Sequence, residues 1–129
     1  MGSNIASKLQ QATAHLEAAL HEYTPAPTPL HFLTVAKTFE ILVEYAWRAL
    51  KAEVEDLGLE APAPKVAVKK AAQLQLITAP DRWLICIDAR NNSVHDYFGI
   101  SESEYIALSR ELLQLLRASS FFALHSQPS

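Results

Sequence analysis

Proline placement constrains this chain more than any other feature. The prolines are Pro25, Pro27, Pro29, Pro62, Pro64, Pro80 and Pro128, and long proline-free stretches separate the clusters. A proline costs about 3 kcal/mol inside a helix but is tolerated in its first turn. The clusters therefore read as connections and the stretches between them as helices. The first helix is expected over residues 5–23, with Leu9, Ala12, Leu16, Ala19, Leu20 and Tyr23 at three- and four-residue steps. Thr28 then caps a second helix that has Pro29 in its first turn. That helix is expected to run to residue 57 on a stripe from Phe32 to Leu57, with Gly58 as its stop.

A shorter third helix is expected over residues 65–76. A fourth opens at Thr78, Pro80 and Asp81, carries Trp83, Leu84, Ile87 and Asn91 on one side, and ends near Gly99. Ser101 and Glu104 form a capping-box pattern for a fifth, whose core face holds Tyr105, Leu108, Leu112, Leu113, Leu115 and Leu116. No useful strand-like alternation and no internal repeat are visible. The expected fold is all-α: an up-down antiparallel four-helix bundle with one additional short helix. Residues 1–120 form the single domain and residues 121–129 a frayed tail. Whether Phe121 and Phe122 dock on the bundle or on a partner stays open.

Composition narrows the function classes. Only three glycines among 129 residues argue against a sandwich, a barrel or a Gly-rich phosphate loop. A net charge of −3 means that polyanion binding would need a local patch. Such a patch is conceivable over residues 61–90, where Lys65, Lys69, Lys70, Arg82 and Arg90 face only Asp81 and Asp88 in the count of charges. A solvated, charge-balanced surface is the competing reading. Residues 40–60 are acidic by contrast, with Arg48 and Lys51 as the only bases. The lone Cys86 excludes an intramolecular disulfide and a multi-cysteine zinc site, and it reads as a buried apolar group. His15, His21 and His31 share no clean helix face, so no metal and no cofactor are expected. Trp47 and Trp83 lie on apolar stripes and read as core or interface. No apolar run approaches the roughly 20 residues of a membrane span, and the start lacks the pattern of a secretory signal. A cytoplasmic location is the default expectation.

The densest polar island is Asp88-Ala89-Arg90-Asn91-Asn92-Ser93-Val94-His95-Asp96-Tyr97. An arginine grips phosphate bidentately, and a histidine titrates near neutral pH. Together they suit phosphodiester cleavage without a metal: the imidazole takes a ribose 2′-hydroxyl proton and the guanidinium stabilises charge at phosphorus. Asn91 would orient the imidazole or bind substrate. The bland reading is a polar helix C-terminus with His95 placed against the dipole. On an ideal helix Arg90 and His95 lie about 140° apart and about 7.5 Å along the axis, so they do not share a face. Either the helix loosens near Asn92, or a second subunit supplies the partner residue across a two-fold axis.

Arginine, asparagine, three spacers, histidine, one spacer and tyrosine resembles the signature of the HEPN superfamily, in the branch paired with minimal nucleotidyltransferases (MNT). Arg90, Asn91, His95 and Tyr97 match it residue by residue. The stretch Phe39-Glu40-Ile41-Leu42-Val43-Glu44-Tyr45-Ala46-Trp47-Arg48-Ala49-Leu50-Lys51, the Leu57-Gly58 exit and the short helix before the motif are similar too. The resemblance spans residues 30–118. It implies a homodimeric HEPN-like bundle in which Arg90 and His95 of both subunits line one cleft. It further implies metal-independent endoribonuclease activity on RNA, as the toxin of a HEPN–MNT toxin–antitoxin pair. The cognate MNT antitoxin would neutralise it by AMP transfer to Tyr97. A bulky, negatively charged nucleotide two residues from His95 would block the cleft and repel RNA. The alternative is a non-catalytic substrate-binding partner of a nucleotidyltransferase; a third reading is a bundle whose dimerisation is its whole role.

Overall fold

The hydrophobic periodicity is realised as five helices. The computed structural model describes residues 2–93 and 101–119, and the statements below concern those residues. In chain order the helices are α1 (Gly2–Tyr23), α2 (Pro29–Asp56), α3 (Pro64–Gln73), α4 (Pro80–Ser93) and α5 (Glu102–Arg117). There is no strand among the described residues. The four longer helices build the bundle and α3 is the short extra one, as expected. Lys8 at the start of α1 reaches Tyr45 in the second half of α2, so those two helices run antiparallel. Glu17 pairs with Arg117 and Thr24 with Arg110, so α1 and α5 are antiparallel as well.

The core sits along α2. Val35, Phe39, Leu42, Ala46, Leu50 and Val54 of α2 are completely buried. Leu9 and Leu16 of α1, Val68 of α3, Trp83 of α4 and Leu112 and Leu116 of α5 pack into the same cluster. Tyr105 of α5 sits edge-on to Phe32 and Phe39, with ring centroids 5.8 and 5.1 Å away. Fully burying one such side chain is worth about 1.5–3 kcal/mol, so this stripe outweighs every surface ion pair.

Helix ends follow local chemistry. The Thr28 hydroxyl accepts the His31 N–H at 3.1 Å and Pro29 fills the first turn. Ser101 caps α5 by accepting the Glu104 N–H at 3.2 Å, and its hydroxyl donates to the Glu104 carboxylate. Gly58 ends α2 at φ +94°, with the Leu59 N–H returning to the Val54 carbonyl and the Gly58 N–H to Glu55.

Three boundaries differ from the sequence reading. The first helix starts at Gly2 rather than residue 5, because Gly2, Ser3 and Asn4 carry no apolar signal. The third spans Pro64–Gln73 rather than 65–76. Gln75 turns left-handed at φ +62°, and the Leu76 N–H closes back on the Ala71 carbonyl. Leu76 and Ile77 are buried in the connection, which is why periodicity mistakes them for helix. At α4, the Ala79 carbonyl, rather than Thr78, receives the first helical N–H groups, from Arg82 and Trp83. The expected stop at Gly99 and the expected tail over residues 121–129 lie outside the described residues.

Ala79 has φ +53° and therefore carries the left-handed penalty of an L-residue, while Gly58 avoids it. Ala79→Gly is expected to stabilise the protein by about 1 kcal/mol, and Gly58→Ala to destabilise it by about the same amount. No atom lies within 4 Å of a Cβ placed on Gly58, so that loss is conformational and not steric. Urea unfolding of both variants checks the opposite signs.

Arg82 of α4 and Glu111 of α5 form a bidentate pair at 2.8 and 2.6 Å. The guanidinium holds the Glu111 carboxyl below its usual range. A depressed carboxyl stabilises the fold fully above its ordinary value and loses that effect as pH falls through the folded value. The melting-temperature gap between the wild type and Arg82→Gln is therefore expected at neutral pH and should close in acid. A gap that persists unchanged in acid would exclude this ion pair as its source.

Candidate functional site

The periodicity of α4 decides where the motif arginine goes. Trp83, Cys86 and Ile87 are buried, and the next position on that i, i+3, i+4, i+7 stripe is residue 90. Arg90 thus leaves the core side of α4 and runs along α2. Its side chain is 34% exposed, and Nη2 donates to Glu44 Oε1 at 2.7 Å. The other oxygen of the same carboxylate, Oε2, accepts from Arg48 Nε at 2.7 Å. One carboxylate, itself 21% exposed, therefore bridges two guanidinium groups on neighbouring helices. Arg48 also lies over the Tyr45 ring, 5.9 Å from its centroid.

Asn91 is exposed although it lies four positions after the buried Ile87, because Trp83, Cys86, Ile87 and Ala89 together centre the buried side of α4 on the direction of Arg90. Its Oδ1 accepts from Arg90 Nη1 at 3.3 Å, so the two adjacent motif residues do meet. His95 and Tyr97 lie outside the described residues. Asp88 is drawn away from the island by Lys65 of α3, at 2.7 Å. The basic stretch over residues 61–90 is thus partly neutralised: Lys65 by Asp88, Arg82 by Glu111 and Arg90 by Glu44.

Glu44 and Arg48 are site neighbours that the periodicity of the second helix does not single out. Only one signal pointed to them, since both lie in the stretch that carries the family resemblance. Their link to Arg90 spans 46 positions of sequence and no periodicity encodes it.

Other reactive groups do not converge here. Cys86 is buried, and burial pushes its thiol up to about 12, so it is an inert core group as read from the sequence. Trp83 is core, and Trp47 is half-buried against the cluster. His31 is engaged locally, with Nδ1 donating to the Ala26 carbonyl at 2.5 Å. Among the described residues no group of three or more His, Cys, Asp or Glu side chains could hold a metal ion. No helix among them is long and apolar enough to cross a membrane.

Chemically, this corner presents a guanidinium that a carboxylate already orients. A phosphate could replace Glu44 on either arginine, because Glu44 takes one N–H from each and a phosphate accepts guanidinium N–H donors as a carboxylate does. A protein-family model described as nucleotidyltransferase substrate binding protein like matches residues 5–112. The match runs from the first turns of α1 into α5 and includes Glu44, Arg48, Arg90 and Asn91. No curated protein matches the sequence.

The geometry predicts a coupled pair. In a double-mutant cycle on unfolding free energy, Glu44→Gln and Arg90→Gln are expected to couple favourably by about 1 kcal/mol, the upper range for a partly exposed ion pair. Additive effects within error would mean that the two side chains do not interact in solution.

Proposed function

Because the chain belongs to the nucleotidyltransferase substrate binding protein like family, the HEPN-superfamily family paired with minimal nucleotidyltransferases, we propose that it is the endoribonuclease toxin subunit of a HEPN–MNT pair. The observation that carries this reading is the placement of Arg90, preset at the edge of the core by Glu44 and beside Asn91. In this reading His95 takes the proton from a ribose 2′-hydroxyl. The resulting oxygen attacks the neighbouring phosphorus, and the bond to the 5′-oxygen breaks, with a proton delivered to that leaving oxygen. The products are a 2′,3′-cyclic phosphate and a free 5′-hydroxyl. Arg90 stabilises the added charge on the phosphoryl oxygens, and Asn91 helps to hold either that guanidinium or the substrate. No metal enters any step.

Arg90 and His95 diverge on an ideal helix, so the reading includes a homodimer in which two copies of the motif face one cleft. The cognate MNT protein would silence it by transferring AMP to Tyr97, which places a bulky anion beside His95.

One observation favours a second reading, a non-catalytic partner that presents this corner to a nucleotidyltransferase. Arg90 is already satisfied by Glu44, which suits a static binding surface as well as a phosphate clamp. Expression of the chain without a nucleotidyltransferase separates the two. The enzyme reading expects growth arrest with cleaved RNA ending in cyclic phosphate, and loss of both in His95→Ala and in Arg90→Ala by 100-fold or more, roughly the scale of losing a general base or a charge-stabilising donor. Intact RNA and normal growth with the wild-type chain would leave the partner reading.

A further inference from the structure

Arg48 belongs to two features at once. Through Glu44 it is tied to Arg90, and it also lines a cavity of about 320 Å³ between α1 and α2 with Ile5, Trp47, Lys51, Ala52 and Glu55. Beside that cavity the Tyr45 ring has two cations over it, Lys8 Nζ at 5.7 Å and Arg48 at 5.9 Å. Lys51 donates to Glu55 at 2.6 Å and to the Ala61 carbonyl at 3.2 Å. The strip therefore carries Lys8, Arg48, Lys51 and Arg90, with Glu44 and Glu55 each paired to a cation within it.

Cations interleaved with aromatic rings form the pattern that single-stranded nucleic acid requires, because each nucleotide offers a flat apolar base and one negative charge. The cavity is at the small end of ligand sites and suits a single base, not a larger ligand. Its wall combines the Trp47 indole, Ile5, Ala52 and the stem of Lys51 with Arg48 and the Glu55 carboxylate; Lys51 holds that carboxylate, which leaves Arg48 as the cation for phosphate. Positions 44 to 51 of α2 cover about 10.5 Å along the axis, so the cavity and the Arg90 corner lie within a few nucleotides of each other.

We propose that the Trp47 cavity is an RNA subsite: it takes the base of a nucleotide flanking the phosphate held by Arg90, and Arg48 grips the phosphate between them. This rests on the reading that Arg90 engages RNA. Glu44 is the stand-in anion that both arginines release when the strand binds.

The test is binding of a short fluorescein-labelled single-stranded RNA, 2′-O-methylated throughout so that cleavage plays no part. A matching set of oligonucleotides lacks one base at a time. Trp47→Leu keeps apolar packing but removes the indole face, and Ala52→Gln fills the cavity while leaving Trp47 in place. Each is expected to weaken binding about tenfold, the typical loss for one stacked base. One abasic position should weaken wild-type binding equally and have no further effect in Trp47→Leu, a coupling that a merely structural Trp47 would not produce. Arg48→Gln should reduce the salt dependence by about one phosphate contact. Arg110→Gln, in the groove between α1 and α5, serves as the control and should bind like the wild type. If Trp47→Leu and Ala52→Gln bind as the wild type does while Arg90→Gln binds more weakly, the subsite is overturned and the Arg90 reading survives. If no oligonucleotide binds, or if AMP binds in this cavity and RNA does not, both fall.

Discussion

The apolar stripe of α2 from Val35 to Val54 is buried against all four other helices, and the rest of the structure depends on that burial. A 28-residue helix with one wide apolar face is long enough for α1, α3, α4 and α5 all to pack against it. The Arg90 corner is a by-product of the same packing. The stripe of α4 is driven onto α2 by Trp83, Cys86 and Ile87, and Arg90 is the next residue on that stripe. A guanidinium on a long aliphatic stem can line an apolar groove and still bring its charge to the rim, where Glu44 meets it.

Electrostatics around the bundle are organised in pairs. Lys65 meets Asp88, Arg82 meets Glu111, Arg117 meets Glu17, and Arg48 and Arg90 share Glu44. At these positions each cation lies against a carboxylate, so positive charge is locally balanced in a chain of net charge −3. Recognition of a phosphate at Arg90 would be an exchange of one anion for another. An exchange of this kind favours selectivity over raw affinity, since the incoming group must offer one acceptor to each of the two guanidinium groups that the carboxylate bridges. It also keeps two guanidinium groups ordered before any ligand arrives, which lowers the entropic cost of binding.

Much of the fold was legible because helix signals are local. The cap at Thr28 with Pro29, the stop at Gly58, the cap at Ser101 and the buried stripe of α2 all follow from neighbours within four positions. The errors have a local cause too. Leu76 and Ile77 are apolar and buried yet lie beyond α3, because periodicity reports burial and not backbone angle. The turn at Ala79 uses a left-handed residue with no glycine to announce it. Asn91 follows Ile87 by four positions, which puts it on the apolar side by spacing alone, yet it is exposed because the buried side of α4 is centred nearer Cys86 and Ala89.

The candidate site divides along the same line. Sequence by itself determined that five helices form, that Arg90 and Asn91 stand near the end of the fourth, and that Cys86 is a core residue and not a nucleophile. It also carried the resemblance over residues 30–118 that agrees with the family match. Only the tertiary structure decided that Glu44 and Arg48 belong beside Arg90, and that Lys65 and Arg82 are occupied by carboxylates from other positions in the chain. The physical reason is that a helix fixes which residues share a face, whereas the partner across the interface is chosen by how whole helices pack.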